Sequence, residues 1–309
     1  MGERTHPRAD FCRTRSGAVN GSARTTGAIT IVNALPTGMG CAVGIELRAA
    51  AQVTVNRAAS NGPPILDIPP EARTSVVEES LRSGLKKYLP ESGISVQLSL
   101  SSEIPVARGL KSSSAVSTAI LLACARAAGR DPTALEIGLL SAEAGKRAGV
   151  SATGALDDAL AGLEPGFVLT DNARGEVRRR AEVEPTWGVV LYVPAHAHPP
   201  SPNLRSAFSE ERAAGELVSR AATEGDWLTA MRLNTQLVER AMGYSYEGIR
   251  DRLRSHGALA SGVSGLGPTL AAIAPSDRLA DLIRVLPSDD ARKVVVPFTR
   301  MSSMEAHET

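Results

Sequence analysis

The chain has 309 residues, of which 43% are hydrophobic but only 3% aromatic, and it carries 34 basic and 33 acidic side chains. The near balance of charge argues against a dedicated nucleic-acid binder, because such proteins concentrate a basic surplus on one face. No apolar run approaches the roughly 18 residues that cross a bilayer, so we expect no membrane association. The cysteines, Cys12, Cys41 and Cys124, lie far apart, which disfavours a disulfide framework and predicts a reducing, cytoplasmic location.

Residues 1–26 are rich in Arg, Ser and Thr and show little hydrophobic periodicity. They contain no apolar segment of the kind found in secretory signals. A segment of this composition buries too little apolar surface to offset the entropy of ordering. We therefore expect residues 1–26 to form a disordered leader outside the fold.

Strand patterns begin at Gly27 and occur three times in succession, in GAITIVNAL, CAVGIEL and AAQVTV. Apolar residues at roughly helical spacing predict a helix over residues 73–88. Strict alternation over residues 94–100 predicts a half-buried strand. The stretch 112–129 is apolar nearly all round, which predicts a buried central helix.

Asp131 followed by Pro132 indicates the start of another helix, which extends to about Arg147. Later strands are expected at FVLTDN, EVRRRAEV, TWGVVLYVP and KVVVPFT, with ALASGVSG and TLAAIA before the last of these. Later helices are expected near 206–224, 227–242 (capped by Asp226), 246–256 and 277–286. This order predicts an α+β fold rather than strict βαβ alternation.

The segment PVARGLKSSSA lies between a predicted strand and the buried helix. A glycine-bearing loop lets backbone N–H groups approach a phosphate, and the helix start adds unpaired donors and the positive end of a dipole. Serine hydroxyls can add hydrogen bonds or ligate Mg²⁺, which prefers oxygen. The alternative is an ordinary helix cap, for which one serine suffices. We predict phosphate binding by Pro105, Arg108, Gly109, Leu110, Lys111, Ser112, Ser113 and Ser114.

The pattern P-x-x-x-G-L-x-S-S-x-A resembles the phosphate-binding motif of the GHMP kinases, a family of ATP-dependent small-molecule kinases. GAITIVNALPTGMGCAVGIEL resembles the first motif of that family and SGVSGLGPTLAAI resembles the third, in the family's order. The resemblance implies a two-lobed α+β fold, with a ribosomal S5 domain 2-like N-terminal lobe over 27–184 and a ferredoxin-like C-terminal lobe over 185–309. It also implies ATP and Mg²⁺ as cofactors.

Lys111 stands where most GHMP kinases have Gly or Ser, and GLKSSSA is similar to the archaeal-type shikimate kinases. TGALDDA and GAITIVNA resemble the same subfamily. This implies transfer of the γ-phosphoryl group of MgATP to a hydroxyl of shikimate, with these small molecules and no nucleic acid as partners, and it is compatible with a homodimer. Homoserine kinase is an alternative, since SG-x-G-PT also occurs in its third motif. A folded but inactive nucleotide-binding paralogue is the non-enzymatic alternative.

The resemblance also assigns roles to individual residues. The catalytic residues are Asp157 and Lys111. The other roles are Mg²⁺ ligation by Ser113 and Glu143, substrate contact by Asn33 and Asp157, and close approach of the backbone to the phosphates at Gly265 and Gly267. For Glu143, a surface ion pair with Lys146 is the alternative.

Asp157 and Asp158 are neighbours on a predicted helix. A carboxylate facing the phosphate loop could accept the proton of the substrate hydroxyl, or ligate Mg²⁺ and orient that hydroxyl. Neighbouring helical residues point about 100° apart, so we expect only one of the two to face the cleft. The resemblance of G-x-x-D-[DN]-A to the family motif implies that this residue is Asp157. The alternative is a solvated acidic pair that the helix dipole favours.

Overall fold

The computed structural model describes residues 18–59, 61–90, 92–196 and 204–305, with only the backbone of Arg205. The first sheet contains β1 Val19–Val32, β2 Met39–Arg57, β3 Ile65–Asp67, β4 Ile94–Ser102, β5 Phe167–Asp171 and β6 Glu176–Ala181. The second contains β7 Trp187–Val193, β8 Ala260–Val263, β9 Leu270–Pro275 and β10 Arg292–Val296. The helices are α1 Ser75–Tyr88, α2 Ser112–Ala127, α3 Ala134–Arg147, α4 Leu156–Ala161, α5 Leu204–Glu210, α6 Arg212–Glu224, α7 Trp227–Met242, α8 Glu247–Ser255 and α9 Leu279–Val285. The two sheets and their helices confirm the α+β prediction.

The long strand β2 organises the first sheet. β1 pairs with it antiparallel along one side. On the other side, β5 pairs with residues 39–43 of β2 and β4 pairs with residues 49–57. Two predicted strands, CAVGIEL and AAQVTV, are therefore one continuous strand. The residues between them keep the alternation of period two that buries Leu47, Ala49 and Ala51 on one face.

The first strand begins earlier than the sequence indicated. β1 starts at Val19, which lies opposite Val55 of β2, so residues 19–26 belong to the sheet and the expected leader boundary at residue 26 is wrong. Small residues hid the pattern: a Cβ on Gly21 would lie 2.1 Å from the Ala123 carbonyl oxygen of α2. Close packing against that helix therefore excludes the large apolar side chains that usually mark a strand. Residues 1–17 lie outside the described residues.

The N-cap of helix α3 is Thr133, so the predicted start at Asp131 and Pro132 is wrong. The Thr133 hydroxyl accepts a hydrogen bond from the Glu136 backbone N–H, and the Glu136 carboxylate accepts one from the Thr133 N–H. This reciprocal capping box satisfies two donors that a helix start otherwise leaves unpaired.

The helices cover the sheets and the two lobes share apolar packing. As predicted, α2 is buried, and it packs between the first sheet and helices α1 and α3. In the second lobe, α7 packs against β8 and also reaches β1 of the first lobe. Phe298, which follows β10, forms a bridge with Ile45 of β2 and is fully buried. No helix within the described ranges is long and apolar enough to cross a membrane.

Candidate active site

A cavity of about 570 Å³ lies where the two lobes meet. The three sequence motifs all contribute to its wall. The lining residues are Thr30, 32–35, Ala107, 109–113, 149–153, Ala155, Asp157, Asp158, Leu204, Met242 and 265–267. The structure therefore brings together most of the predicted site residues: Asn33, Gly109, Leu110, Lys111, Ser112, Ser113, Asp157, Gly265 and Gly267.

Strained backbone is concentrated at this cavity. Among the described residues, Ala107, Lys111 and Ala155 are the non-glycine residues with a positive φ, at 55°, 65° and 51°. All three line the cavity. Such conformations cost on the order of 1–3 kcal/mol each and cluster where function requires a particular backbone path. The geometry of the chain alone thus marks this cavity as a functional site.

The start of α2 is open toward the cavity. Its N-cap is Lys111, which provides no side-chain cap, and the hydroxyls of residues 112–114 form no hydrogen bond with the described part of the chain. The serines are therefore not acting as a helix cap, which was the alternative to phosphate binding. Free N–H groups at a helix start, with the positive end of its dipole, form an anion site.

Hydrogen bonds join the first motif to the third. The Thr30 N–H donates to the Ser264 hydroxyl at 3.1 Å, and the Gly265 N–H donates to the Thr30 hydroxyl at 2.8 Å. The Asn33 amide donates to the Gly265 carbonyl at 3.1 Å and accepts from the Leu35 N–H at 2.9 Å. Asn33 thus lines the cavity while it holds the third loop in place.

The third motif in turn packs on the phosphate loop. The Ser264 hydroxyl donates to the Gly109 carbonyl at 2.7 Å, and a Cβ on Gly109 would lie 2.0 Å from the Ser264 carbonyl oxygen. Only glycine fits at this position, where φ is also +76°. The loops that carry Lys111 and Gly265 are therefore fixed relative to each other before any ligand binds.

Tyrosines support the third loop from behind. Tyr244 donates to the Leu266 carbonyl at 2.7 Å and Tyr246 donates to the Pro268 carbonyl at 2.9 Å. Their rings stack with centroids 5.5 Å apart. Sequence reasoning missed both tyrosines; in a chain with four tyrosines in all, the YSY pair after α7 was the available signal.

Both aspartates line the cavity, so the expectation that only one faces it is wrong. They lie in the first turn of α4, and the cavity wall wraps around that turn. Asp157 is 4% exposed and accepts a hydrogen bond from the Asn172 amide at 2.9 Å. Burial, and then the neighbouring charge of Asp158, raise the pKa of Asp157 to about 7, against the opposing effects of Lys111 and Asn172.

Asp158 is paired with Lys111. The Lys111 Nζ lies 3.0 Å from Asp158 Oδ1, and both side chains are nearly buried. The contact is an ion pair rather than a directed hydrogen bond, since Oδ1 has no hydrogen-bond partner among the described residues. The two neighbouring carboxylates therefore differ: one is neutralised by a lysine, and the other is bonded to a neutral amide.

A smaller chamber of about 100 Å³ adjoins the main cavity between α2 and α3. Serine residues form much of its wall. It shares Ser113, Val150, Ser151, Ala155 and Asp158 with the main cavity. Ser114 lines this chamber rather than the cavity.

Three predicted site residues do not line either space: Pro105, Arg108 and Glu143. The Arg108 guanidinium donates to the Ala195 carbonyl at 2.5 Å. The Glu143 side chain is 66% exposed and pairs with Arg147 at 3.5 Å, so its prediction as a metal ligand is not supported. The resemblance to the family assigned this role to Glu143, but the face of α3 that Glu143 occupies points away from the cavity.

Family models match both lobes. The GHMP kinases N terminal domain matches residues 75–164, and the GHMP kinases C terminal domain matches residues 213–289. The first match contains the phosphate loop, the start of α2 and both aspartates. The second contains the third motif.

Similar proteins cover most of the chain. The shikimate kinase of Methanosarcina acetivorans is 33% identical over 273 residues, which cover 85% of this chain and 87% of that protein. The shikimate kinase of Pyrococcus furiosus is 35% identical over 257 residues, which cover 82% and 92%. The solved structure of homoserine kinase from Cytophaga hutchinsonii has a TM-score of 0.65 over 92% of this chain and 97% of that chain, at 17% identity, which supports the fold alone. The chain belongs to the GHMP kinase family.

Proposed function

We propose that this protein transfers the γ-phosphoryl group of ATP to a hydroxyl of shikimate. One observation carries the proposal: the uncapped start of α2 and the buried carboxylate of Asp157 line the same cavity. The first suits the phosphates of a nucleotide, and the second suits the hydroxyl that attacks them. A GHMP kinase uses ATP, so the cavity has to hold both substrates.

The phosphate loop supports the nucleotide side of this proposal. The N–H groups of residues 112–114, at the start of α2, donate no hydrogen bond to the described residues. The Lys111 ammonium adds positive charge at the same end of the helix, and its pairing with Asp158 holds it beside the cavity. Phosphoryl transfer depends mainly on such positioning and charge stabilisation.

Asp157 supports the acceptor side. A general base works best when its pKa lies near the working pH, and burial raises the pKa of Asp157 to about 7. Asp157 would then accept the proton of the acceptor hydroxyl as that oxygen attacks the γ-phosphorus. Asp158 is less suited to this role because Lys111 already neutralises it.

We propose that Mg²⁺ binds at Ser113. The Ser113 hydroxyl lines both the cavity and the adjoining chamber and has no partner in the described part of the chain, which fits a hard cation that prefers oxygen ligands. A bound Mg²⁺ would neutralise charge on the β- and γ-phosphates.

The choice of shikimate rests on the curated relatives. Proteins named shikimate kinase from archaea are 33–36% identical over more than 80% of the chain. Fold similarity does not distinguish the substrates, because homoserine kinase and mevalonate kinase structures both align over most of the chain. Homoserine kinase therefore remains the enzymatic alternative.

A coupled ADP-release assay with shikimate, homoserine and mevalonate tests the proposal. A site that hydrogen-bonds several hydroxyls rejects analogues that lack them, because its own polar groups are left unpaired. We expect kcat/KM for shikimate to exceed that for homoserine by at least about 10³-fold. The Asp157→Asn variant, purified in parallel, controls for a contaminating kinase.

Two outcomes would contradict the proposal. Equal or better turnover of homoserine would reject shikimate as the substrate while leaving the kinase assignment intact. ATP binding without ADP release, with any of the three acceptors, would identify an inactive nucleotide-binding paralogue.

A further inference from the structure

A buried chain of polar groups connects the first sheet to Asp157. Asn172 follows β5 directly and is 5% exposed. Its Nδ2 donates to Asp157 Oδ1 at 2.9 Å, and its Oδ1 accepts from the Thr170 hydroxyl at 2.7 Å. Thr170 is itself fully buried in β5. The sheet therefore reaches the carboxylate through two side chains.

Thr170 determines which way the Asn172 amide faces. A hydroxyl has one proton to donate, and the Thr170 hydroxyl lies 2.7 Å from Asn172 Oδ1 but 3.4 Å from the Gly40 carbonyl. The shorter contact is the stronger hydrogen bond. With Oδ1 engaged by Thr170, the NH₂ group of Asn172 has to face Asp157.

Asp157 has little freedom apart from this contact. A Cβ on Gly40 would lie 2.6 Å from the Asp157 carboxyl group, so β2 packs directly against it. The charged and titratable groups that act on Asp157 are Asp158 on its own helix, Lys111 at the start of α2 and the Cys41 thiol of β2. No described side chain forms a hydrogen bond with Asp157 Oδ2, which leaves that oxygen for a substrate hydroxyl.

We propose that Asn172 is the positioning residue for Asp157, holding one carboxylate oxygen so that the other faces the acceptor hydroxyl. The inference rests on the proposed role of Asp157 as the base. It assigns Asn172 no contact with substrate: the residue acts through the carboxylate, and Thr170 acts through Asn172. A misplacement of about 1 Å in a reacting group can cost about 10²-fold in rate. Loss of the Asn172 contact should therefore lower the rate measurably.

The test compares Asn172→Ala, Asn172→Asp and Thr170→Val with the wild-type enzyme, using ATP and shikimate over a range of pH. Asn234→Ala is the matched control, because Asn234 is a buried asparagine (1% exposed) whose carbonyl accepts from the Asn33 N–H, with no hydrogen bond to Asp157. Thermal unfolding of each variant is measured alongside.

For Asn172→Ala we expect kcat to fall about 10- to 100-fold with the KM for ATP unchanged. The acid limb of kcat/KM should move to higher pH by about one unit, because a hydrogen bond that favours the charged carboxylate is lost. Asn172→Asp should move the limb further, since it places a like charge beside Asp157. Thr170→Val should move it in the same direction but less, and Asn234→Ala should leave it in place.

A lower unfolding temperature with an unmoved acid limb in both Asn172→Ala and Thr170→Val would overturn the inference and leave Asn172 a structural residue. If Asp157→Asn is inactive in the same assay, Asp157 keeps its assignment as the base, and the unmoved acid limb overturns only the positioning role of Asn172. If Asp157→Asn keeps wild-type turnover, the assignment of the base is wrong and the inference falls with it.

Discussion

Helices α1 to α4 of the first lobe begin in two different ways. The N-caps of α1 and α3 are Thr74 and Thr133, whose hydroxyls accept hydrogen bonds from the first turn. The N-cap positions of α2 and α4 are Lys111 and Ala155, which both have left-handed backbone and provide no side-chain cap. The second pair of starts lines the cavity, and the first pair does not.

The two helix starts at the cavity are less stable than the two capped starts. A missing cap costs roughly 1 kcal/mol, and a left-handed non-glycine residue costs on the order of 1–3 kcal/mol more. At α2 and α4 these costs coincide with groups that can act on a ligand: unpaired N–H donors at one start and two carboxylates at the other. Bound nucleotide and acceptor would supply hydrogen-bond partners for these groups.

The largest effect should come from the carboxylate on the uncapped start of α4. Asp157→Asn keeps the shape but cannot accept a proton, so kcat should fall by about 10²- to 10⁴-fold with ATP affinity nearly unchanged. Asp158→Asn should lower kcat by only about tenfold, because it loosens Lys111 but leaves the base. Steady-state kinetics with ATP titration checks both variants, and a reversed order would make Asp158 the base.

Removing one hydroxyl from the start of α2 and one from the start of α3 should separate ligand binding from helix capping. Ser113→Ala should lower kcat by about 10- to 10³-fold, as for other lost electrostatic contacts, with the free energy of unfolding changed by less than about 0.5 kcal/mol. Thr133→Ala should do the opposite, costing about 1 kcal/mol of stability with normal turnover. Denaturant unfolding and steady-state kinetics of the two variants test this prediction. If Ser113→Ala and Thr133→Ala lost the same unfolding free energy, Ser113 would be a helix cap.

The two ends of α2 offer a matched pair of glycines with positive φ. Gly109 has φ +76° and no room for a Cβ, whereas Gly129 has φ +62° and open space around it. Gly129→Ala should cost about 1–2 kcal/mol of stability through the backbone alone, with ATP affinity unchanged. Gly109→Ala should have the same backbone cost and should also displace the phosphate loop, which weakens ATP binding by about tenfold or more. Calorimetric titration measures the ATP affinity of both variants. Equal ATP affinities of Gly109→Ala and Gly129→Ala would argue against a preformed phosphate loop.

A smaller, pH-dependent effect should appear in stability. Burial raises the pKa of Asp157 from 3.8 to about 7, so the folded state keeps a proton that the unfolded state loses between these values. Stability therefore falls as pH rises through this window. Asp157→Asn avoids that loss, so its unfolding temperature should exceed that of the wild type at pH 8 and approach it at pH 5. Asp277→Asn, at a side chain 75% exposed, should show no such gain, and an Asp157→Asn gain that is the same at both pH values would contradict the burial argument.

The sequence predicted the parts of the site that have local signals. The phosphate loop, α2 and the glycines of the third motif depend on residue types within a few positions of each other, and the structure places them at one cavity. Glu143, which the resemblance to the family assigned as a metal ligand, lies outside the cavity, because a position on a helix does not determine which helix face meets the cavity. The first half of β1 was missed because Gly21 and Ala23 make room for α2 instead of presenting large side chains.

The polar network around Asp157 required the tertiary structure. Thr170 and Asn172 lie two residues apart after an apolar run, which places them on one side of the chain. Nothing local to them indicates Asp157, which lies on another element 15 positions away. The same holds for the hydrogen bond between Thr30 and Ser264, which lie 234 positions apart in the chain.

Hydrogen exchange at the two helix starts tests the central claim, that the open end of α2 binds the phosphates of ATP. Exchange of backbone amides would be measured with and without a non-hydrolysable ATP analogue and Mg²⁺. The expected result is slower exchange at residues 112–114, whose N–H groups donate no hydrogen bond to the described residues, and no change at residues 134–136, where Thr133 already caps the helix. Unchanged exchange at residues 112–114 with the analogue fully bound would contradict the claim.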